Sequence, residues 1–269
     1  MRVGIVFCVY LVMTSAIVCA DSNVTQTLEN VRQGVVTALN KMDRDLQDAS
    51  QKIAKKGLTG EEARTVLKDV CKNNSCAVDC AVVDAAGKML TIEPDVYKKY
   101  EGKDISAQEH VMALRKDKKP VMSKVFRSEE GIDAADFSYP IFSESNELLG
   151  SVSLLVMPAT LLFDVVNKAA KDVVYEIWVM QTDGLILFDK DEKQIGKNLF
   201  NDGIYKPYAS LISLGERIVK EESGSGSYEF LDKLGAEVKS PVKKNAQWAT
   251  VGIHGAQWKV VVAEIEKAK

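Results

Sequence analysis

Histidine is the scarcest chemistry-bearing residue in this chain: His110 and His254 are the only two among 269 residues. A Ser-His-Asp or Cys-His arrangement would have to recruit one of them, and no nucleophile-elbow sequence accompanies either, so no catalytic residues are expected. His254, followed by Gly255, reads as a turn histidine satisfied by backbone groups. An excess of basic charge is missing too. With 35 Lys and Arg against 38 Asp and Glu, a net charge of −3, the chain offers no broad basic face and no nucleic-acid partner is expected. The densest basic run, Lys116, Lys118 and Lys119, reads as a solvated loop. Gly224 and Gly226 are not followed by Gly-Lys-Ser/Thr, so they make a flexible hairpin loop rather than a phosphate cradle.

Long apolar runs are limited to one, Val3 to Val18, behind Arg2. Val18-Cys19-Ala20 fits the small-residue rule for signal peptidase, so residues 1–20 read as a signal peptide and the mature chain starts near Asp21. A lipidated Cys19 and an uncleaved signal anchor are the alternatives, either of which would hold the chain at a membrane through its N-terminus. No second run approaches that length, so nothing crosses a membrane twice.

Of five cysteines, three remain after cleavage: Cys71, Cys76 and Cys80. Export favours a disulfide from Cys71 to either Cys76 or Cys80. Zinc would need a fourth ligand from His110, His254 or a carboxylate at a spacing that matches no standard finger, so no metal and no cofactor are expected. Asn23-Val24-Thr25 and Asn73-Asn74-Ser75 are glycosylation sequons of an exported chain.

What the sequence does have is a long amphipathic stripe and a repeat. Leu28, Val31, Val35, Leu39, Met42, Leu46, Ala49 and Ile53 recur at alternating steps of three and four, which predicts one long helix ending near Gly57. Thr59 and Glu62 suggest a capping box for a second helix carrying Ala63, Val66, Leu67 and Val70 inward. The strand Cys76 to Val83 turns at Asp84 to Gly87 into Lys88 to Ile92, and Gly102-Lys103-Asp104-Ile105 leads to a helix capped by Ser106. Strands at Val121 to Arg127, Ala135 to Phe142 and Leu148 to Met157 follow, the middle one marked by Pro140 as having a free edge or a bulge. The order then repeats: Tyr175 to Gln181, a turn at Thr182-Asp183-Gly184, Leu185 to Phe188, Ile195-Gly196-Lys197-Asn198-Leu199, a helix from Tyr208 to Glu221, and strands at Tyr228 to Leu231, Ala246 to Ile253 and Trp258 to Ile265. Two copies at this offset indicate two similar modules, each an antiparallel sheet of about five strands with helices, an α+β chain strung along one N-terminal helix.

The long helix, the paired G-K-[DN]-[IL] elements, Ser138-Tyr139-Pro140-Ile141-Phe142 before Gly150-Ser151-Val152, and the ending Thr250 to Trp258 together resemble the double Cache extracytoplasmic sensor family. The likeness covers residues 24 to 265. It implies two PAS-like modules, a membrane-distal one at 58–160 and a membrane-proximal one at 161–269, behind a helix over 21–57. It also implies a small ligand in the distal module and signalling through the long helix. No output segment follows before Lys269, so the resemblance points to a sensor module standing alone, with a solute-capturing or accessory role and a separate signalling partner.

Amino-acid-binding members place an arginine and aromatics after the first G-K-D element, where this chain has Gln108-Glu109-His110-Val111, so free amino acids are not supported as ligands. The residues expected to face the distal pocket are His110, then Met122, Lys124 and Phe126 alternating along one strand with Arg127 beside them, and Asp136, Ser138 and Tyr139 on the next. Lys124 or Arg127 would pair with a carboxylate and Asp136 with an amine or hydroxyl, so the ligand is a small organic acid or amine. The competing reading is a structural or interaction protein that dimerises through the exposed stripe of the long helix.

Overall fold

The computed structural model describes residues 15–232 and 240–266, with side chains from residue 23 onward. Most of the expected signal peptide, together with the Cys19 side chain, lies outside the described residues. Among the described residues no helix is long and apolar enough to cross a membrane.

Helix α1 spans Ser15–Lys56, and Gly57, at φ +103°, closes it by donating to the Ile53 carbonyl at 2.9 Å. Every member of the predicted stripe is buried, with Leu39 and Met42 at 1% exposure and Val31, Val35 and Ile53 at 0%. The stripe packs against both modules in one continuous apolar cluster. This corrects the expectation that part of it stays free for a second copy: the chain's own sheets and helices cover it.

Helix α2, Glu61–Asn73, starts behind Gly60 in an extended positive-φ conformation with no side-chain cap. The capping box at Thr59 and Glu62 therefore does not form. Strands β1 (Ala77–Asp84), β2 (Met89–Glu93), β3 (Val121–Met122), β4 (Phe126–Arg127), β5 (Asp133–Phe142) and β6 (Leu148–Val156) make the first sheet. Its order is β2-β1-β6-β5-β3, with β4 also on β5, and all of these pairings are antiparallel. Pro140 pairs with Ser151 of β6 beyond the reach of β3, and a bulge follows between Ile141 and Phe142, as a residue without an amide hydrogen requires. Between β2 and β3 the chain makes a 3-10 turn at Asp95–Tyr100 and helix α3, Glu109–Asp117, whose N-cap is Gln108 and not Ser106.

After α4 (Pro158–Ala170) the second sheet follows with β7 (Glu176–Gln181), β8 (Ile186–Asp189), β9 (Ser223–Phe230), β10 (Val242–Ile253) and β11 (Ala256–Ile265), in the order β8-β7-β11-β10-β9. Helix α5, Ala209–Lys220, lies between β8 and β9. The duplication read from the sequence is structural: Lys88 bridges Asp104 in one module and Leu185 bridges Asn198 in the other.

The Gly/Ser stretch is strand, not a flexible loop. Gly224 pairs with Trp248 across the sheet, and a Cβ on Gly224 would sit 2.4 Å from the Trp248 ring, so glycine makes room for a fully buried indole. Gly224→Val is expected to cost about 1–3 kcal/mol by overpacking, read as a lowered urea midpoint with Trp248 fluorescence red-shifted.

Each sheet has two working faces. The α1 side carries Cys80 and Val82 in the first module and Ile177 and Val179 in the second, while Ala81 and Val83, or Trp178 and Met180, face outward beneath the inserted helix.

Candidate functional site

On the outer face of the first sheet, β1 interrupts its apolar run with one acid, Asp79. Cross-strand pairing places Leu155 of β6 between Asp79 and Asp136 of β5, so the two carboxylates flank one leucine. Ser153 comes from β6, His110 and Gln108 from α3 and its cap, and Phe126 from β4. Ser128, Glu129 and Glu130 come from the loop that follows. Together with Met89 and Ile105 these groups enclose a cavity of about 30 Å³, which holds about one or two waters.

The two acids differ in their partners. Asp136 takes the Ser138 hydroxyl at 2.5 Å and has His110 Nε2 at 3.7 Å. Burial raises its carboxyl above the ordinary range, with His110, Ser138 and Ser153 pulling the other way. Asp79 is 2% exposed, and its Oδ2 has no hydrogen-bond partner among the described residues. Burial, then Glu130, Asp136 and Cys71, push the Asp79 carboxyl well above its usual value. In that setting the charged form of a carboxyl is disfavoured unless a cation offsets the missing solvation. The His110 and Phe126 rings, 5.1 Å apart between centroids and tilted by 40°, form the aromatic wall.

Of the eight expected residues the structure brings His110, Phe126 and Asp136 to this cavity, sets Ser138 behind Asp136 as its hydroxyl donor, and places the other four elsewhere. Met122 pairs with Phe137 and enters the α1 core. The strand predicted over Val121 to Arg127 breaks into β3 and β4, where Ser123 exchanges hydrogen bonds with Asp136 and Val125 donates to Gln181 Oε1. That break flips the alternation, so Met122 and Phe126 point to opposite faces. Lys124 is exposed, and Arg127 pairs with Asp133 at the surface. Tyr139 follows Ser138 by one residue and therefore points to the α1 side.

The site residue the sequence reading missed is Asp79. A lone carboxylate inside Ala77-Val78-Asp79-Cys80-Ala81-Val82-Val83 was the available signal, because burying an acid in an apolar strand is costly.

Two further expectations are corrected here. Cys71, Cys76 and Cys80 are free thiols in this structure, and Cys71 Sγ donates instead to the Glu93 carbonyl at 3.5 Å. His254 is not satisfied by backbone groups: at φ +48° its Nε2 lies 2.6 Å from Asp43 Oδ1 of α1.

Two PAS-like modules strung on one helix, with an outer-face cavity under an inserted helix, make up the fold of Cache-like sensor domains. Residues 37–158 match the model of the family described as HK/GC/chemotaxis protein-like, sensor domain. Among solved structures the chain is similar to an extracellular ligand binding receptor from Desulfohalobium retbaense, at 26% identity and a TM-score of 0.73. That match covers 88% of this chain and 39% of the receptor, so this chain spans about two fifths of the receptor's length. It shares its fold with the periplasmic sensory domain of the Campylobacter jejuni chemoreceptor Tlp1, at 12% identity, TM-score 0.61, and 90% and 93% coverage of the two chains. The ligand-binding domain of the Pseudomonas aeruginosa amino acid chemoreceptor PctB, solved with L-Gln, aligns at 15% identity, TM-score 0.60, and 90% and 89% coverage. The comparison with curated proteins found no match.

Proposed function

We propose that the first module, the membrane-distal one, senses a small organic cation, a primary or substituted amine, whose charge is taken by Asp79. The observation that carries this reading is the buried, unpartnered Asp79 Oδ2 at the cavity wall. The lining supports an amine over an acid: Asp79, Asp136, Glu129 and Glu130 contribute carboxyls, and neither Lys124 nor Arg127 reaches the cavity. A cavity of about 30 Å³ is too small for such a ligand as it stands, so entry requires the Ser128 to Glu130 loop to move off the sheet. Binding then reports through α1, which packs on this sheet and on the second.

Isothermal titration with alkylamines and with carboxylic acids of matched size tests the assignment. Amines are expected to bind and acids are not. Asp79→Asn should weaken amine binding by about 1.5–3 kcal/mol, the scale of a hydrogen bond to a charged group. Burial favours the protonated Asp79 carboxyl and a bound ammonium favours the carboxylate, so amine binding should be accompanied by proton release, seen as a dependence of the binding enthalpy on buffer ionisation. Saturable binding of acids, with Asp79→Asn unchanged, would reverse the assignment.

A further inference from the structure

The register of the two modules makes their acids comparable. Both β1 and β7 carry a pairing irregularity, between Val82 and Val83 in one and between Val179 and Met180 in the other. Counting back the same four residues from Val83 and from Met180 reaches Asp79 and Glu176. Each lies on the outer face of its sheet and lines its module's outer cavity. Glu176, Trp178, Asp189, Tyr205, Tyr228 and Phe230 surround about 20 Å³ in the second module.

There the acid is not left alone. Lys244 of β10 is 1% exposed, and its Nζ donates to Glu176 Oε1 at 2.6 Å and to the Leu231 carbonyl at 2.7 Å. The same ammonium lies 5.6 Å from the centroid of the Phe230 ring, and Tyr228 donates to the other Glu176 oxygen at 3.5 Å. A partly buried carboxylate, an ammonium on it, a carbonyl acceptor and an aromatic face together make up a complete primary-amine site.

We propose that Lys244 is a tethered ligand: its ammonium fills in the second module the place an external amine takes at Asp79 in the first. The second module is therefore permanently occupied, and Lys244 is the residue that confines amine sensing to the first. The comparison of the two sites rests on the assignment of Asp79 to an amine, but the occupancy of the second site by Lys244 is tested independently of it.

Shortening Lys244 to alanine deletes three methylenes and the ammonium, the atoms of n-propylamine. In an Asp79→Asn background, which removes the first site, Lys244→Ala is expected to bind n-propylammonium saturably and to regain thermal stability with it. The affinity should be at least about tenfold above that for 1-propanol, which fills the same space without the charge. The parent Asp79→Asn chain should not respond, and adding Glu176→Gln to Lys244→Ala should abolish the response. Equal rescue by 1-propanol would mean simple cavity filling and would overturn the proposal, as would rescue that survives Glu176→Gln. If Lys244→Ala does not fold unaided, n-propylammonium should restore folding, and failure to do so also counts against the tethered ligand. The double substitution Lys244→Met with Glu176→Gln keeps the packing without either charge. It should fold and ignore n-propylammonium, and a response there would place the amine elsewhere. Failure of the wild-type chain to bind amines at Asp79 would refute the first-module assignment and leave this result standing.

Discussion

Leu39→Asp, or Met42→Asp, is expected to unfold both modules in one transition. Both side chains are 1% exposed at the middle of the α1 stripe, and the cluster they belong to contains Cys80, Phe137 and Leu154 of the first sheet and Ile177, Val179 and Trp258 of the second. Deleting a buried leucine or methionine costs about 2–5 kcal/mol, and placing a carboxylate in the space adds the cost of burying or protonating it. The total, at least about 4 kcal/mol, is a large share of the roughly 5–15 kcal/mol that holds a domain folded. The measurement is urea unfolding followed by hydrogen exchange in β1 and β11, with Asn40→Asp on the exposed side of the same turn as control. Protection should be lost from both sheets together. A variant with wild-type stability and only an altered oligomeric state would mean that the stripe serves a second copy after all.

Asp189→Asn is expected to remove one full proton's worth of pH dependence from stability. Burial raises the Asp189 carboxyl from 3.8 to about 8, partly offset by the Asp191 amide, which donates to Oδ1 at 2.7 Å. Between those two values the folded chain keeps a proton that the unfolded chain has lost. The contribution is fully present below pH 3.8, declines as pH rises, and is gone above about 8. Asparagine preserves the shape and the acceptor but does not titrate. The stability difference between wild type and Asp189→Asn should therefore shift against wild type by about 1.4 kcal/mol per pH unit across this window. Urea midpoints at pH 5 and pH 7 measure it, and parallel pH profiles would place the carboxyl in contact with solvent.

The long helix, the order of nearly all strands and the duplication are legible in the chain because each is written in local periodicity: steps of three and four along α1, runs of β-formers between turns, and glycines at matching places in the two copies. The sequence also carried the resemblance to the sensor family, and it brought His110, Phe126 and Asp136 into consideration for the pocket. What periodicity could not supply was the face each residue takes once a strand is interrupted. Met122 and Phe126 took opposite faces because the strand breaks at Ser123, and Tyr139 went to the α1 side because neighbours on β5 alternate; the pairing of whole strands sets which side is which.

The tertiary structure alone decided the rest. It turned Gly224 and Gly226 into strand, because Trp248 of β10 needed the space at the first and Leu214 of α5 at the second. It paired His254 with Asp43, more than two hundred residues earlier. It gave Glu176 an ammonium from β10 and left Asp79 without one, although both acids stand at one position of the repeat. The physical reason is that a buried charge is settled by whatever long-range contact neutralises it, and such contacts are made by residues far apart in the chain, beyond the reach of any local pattern.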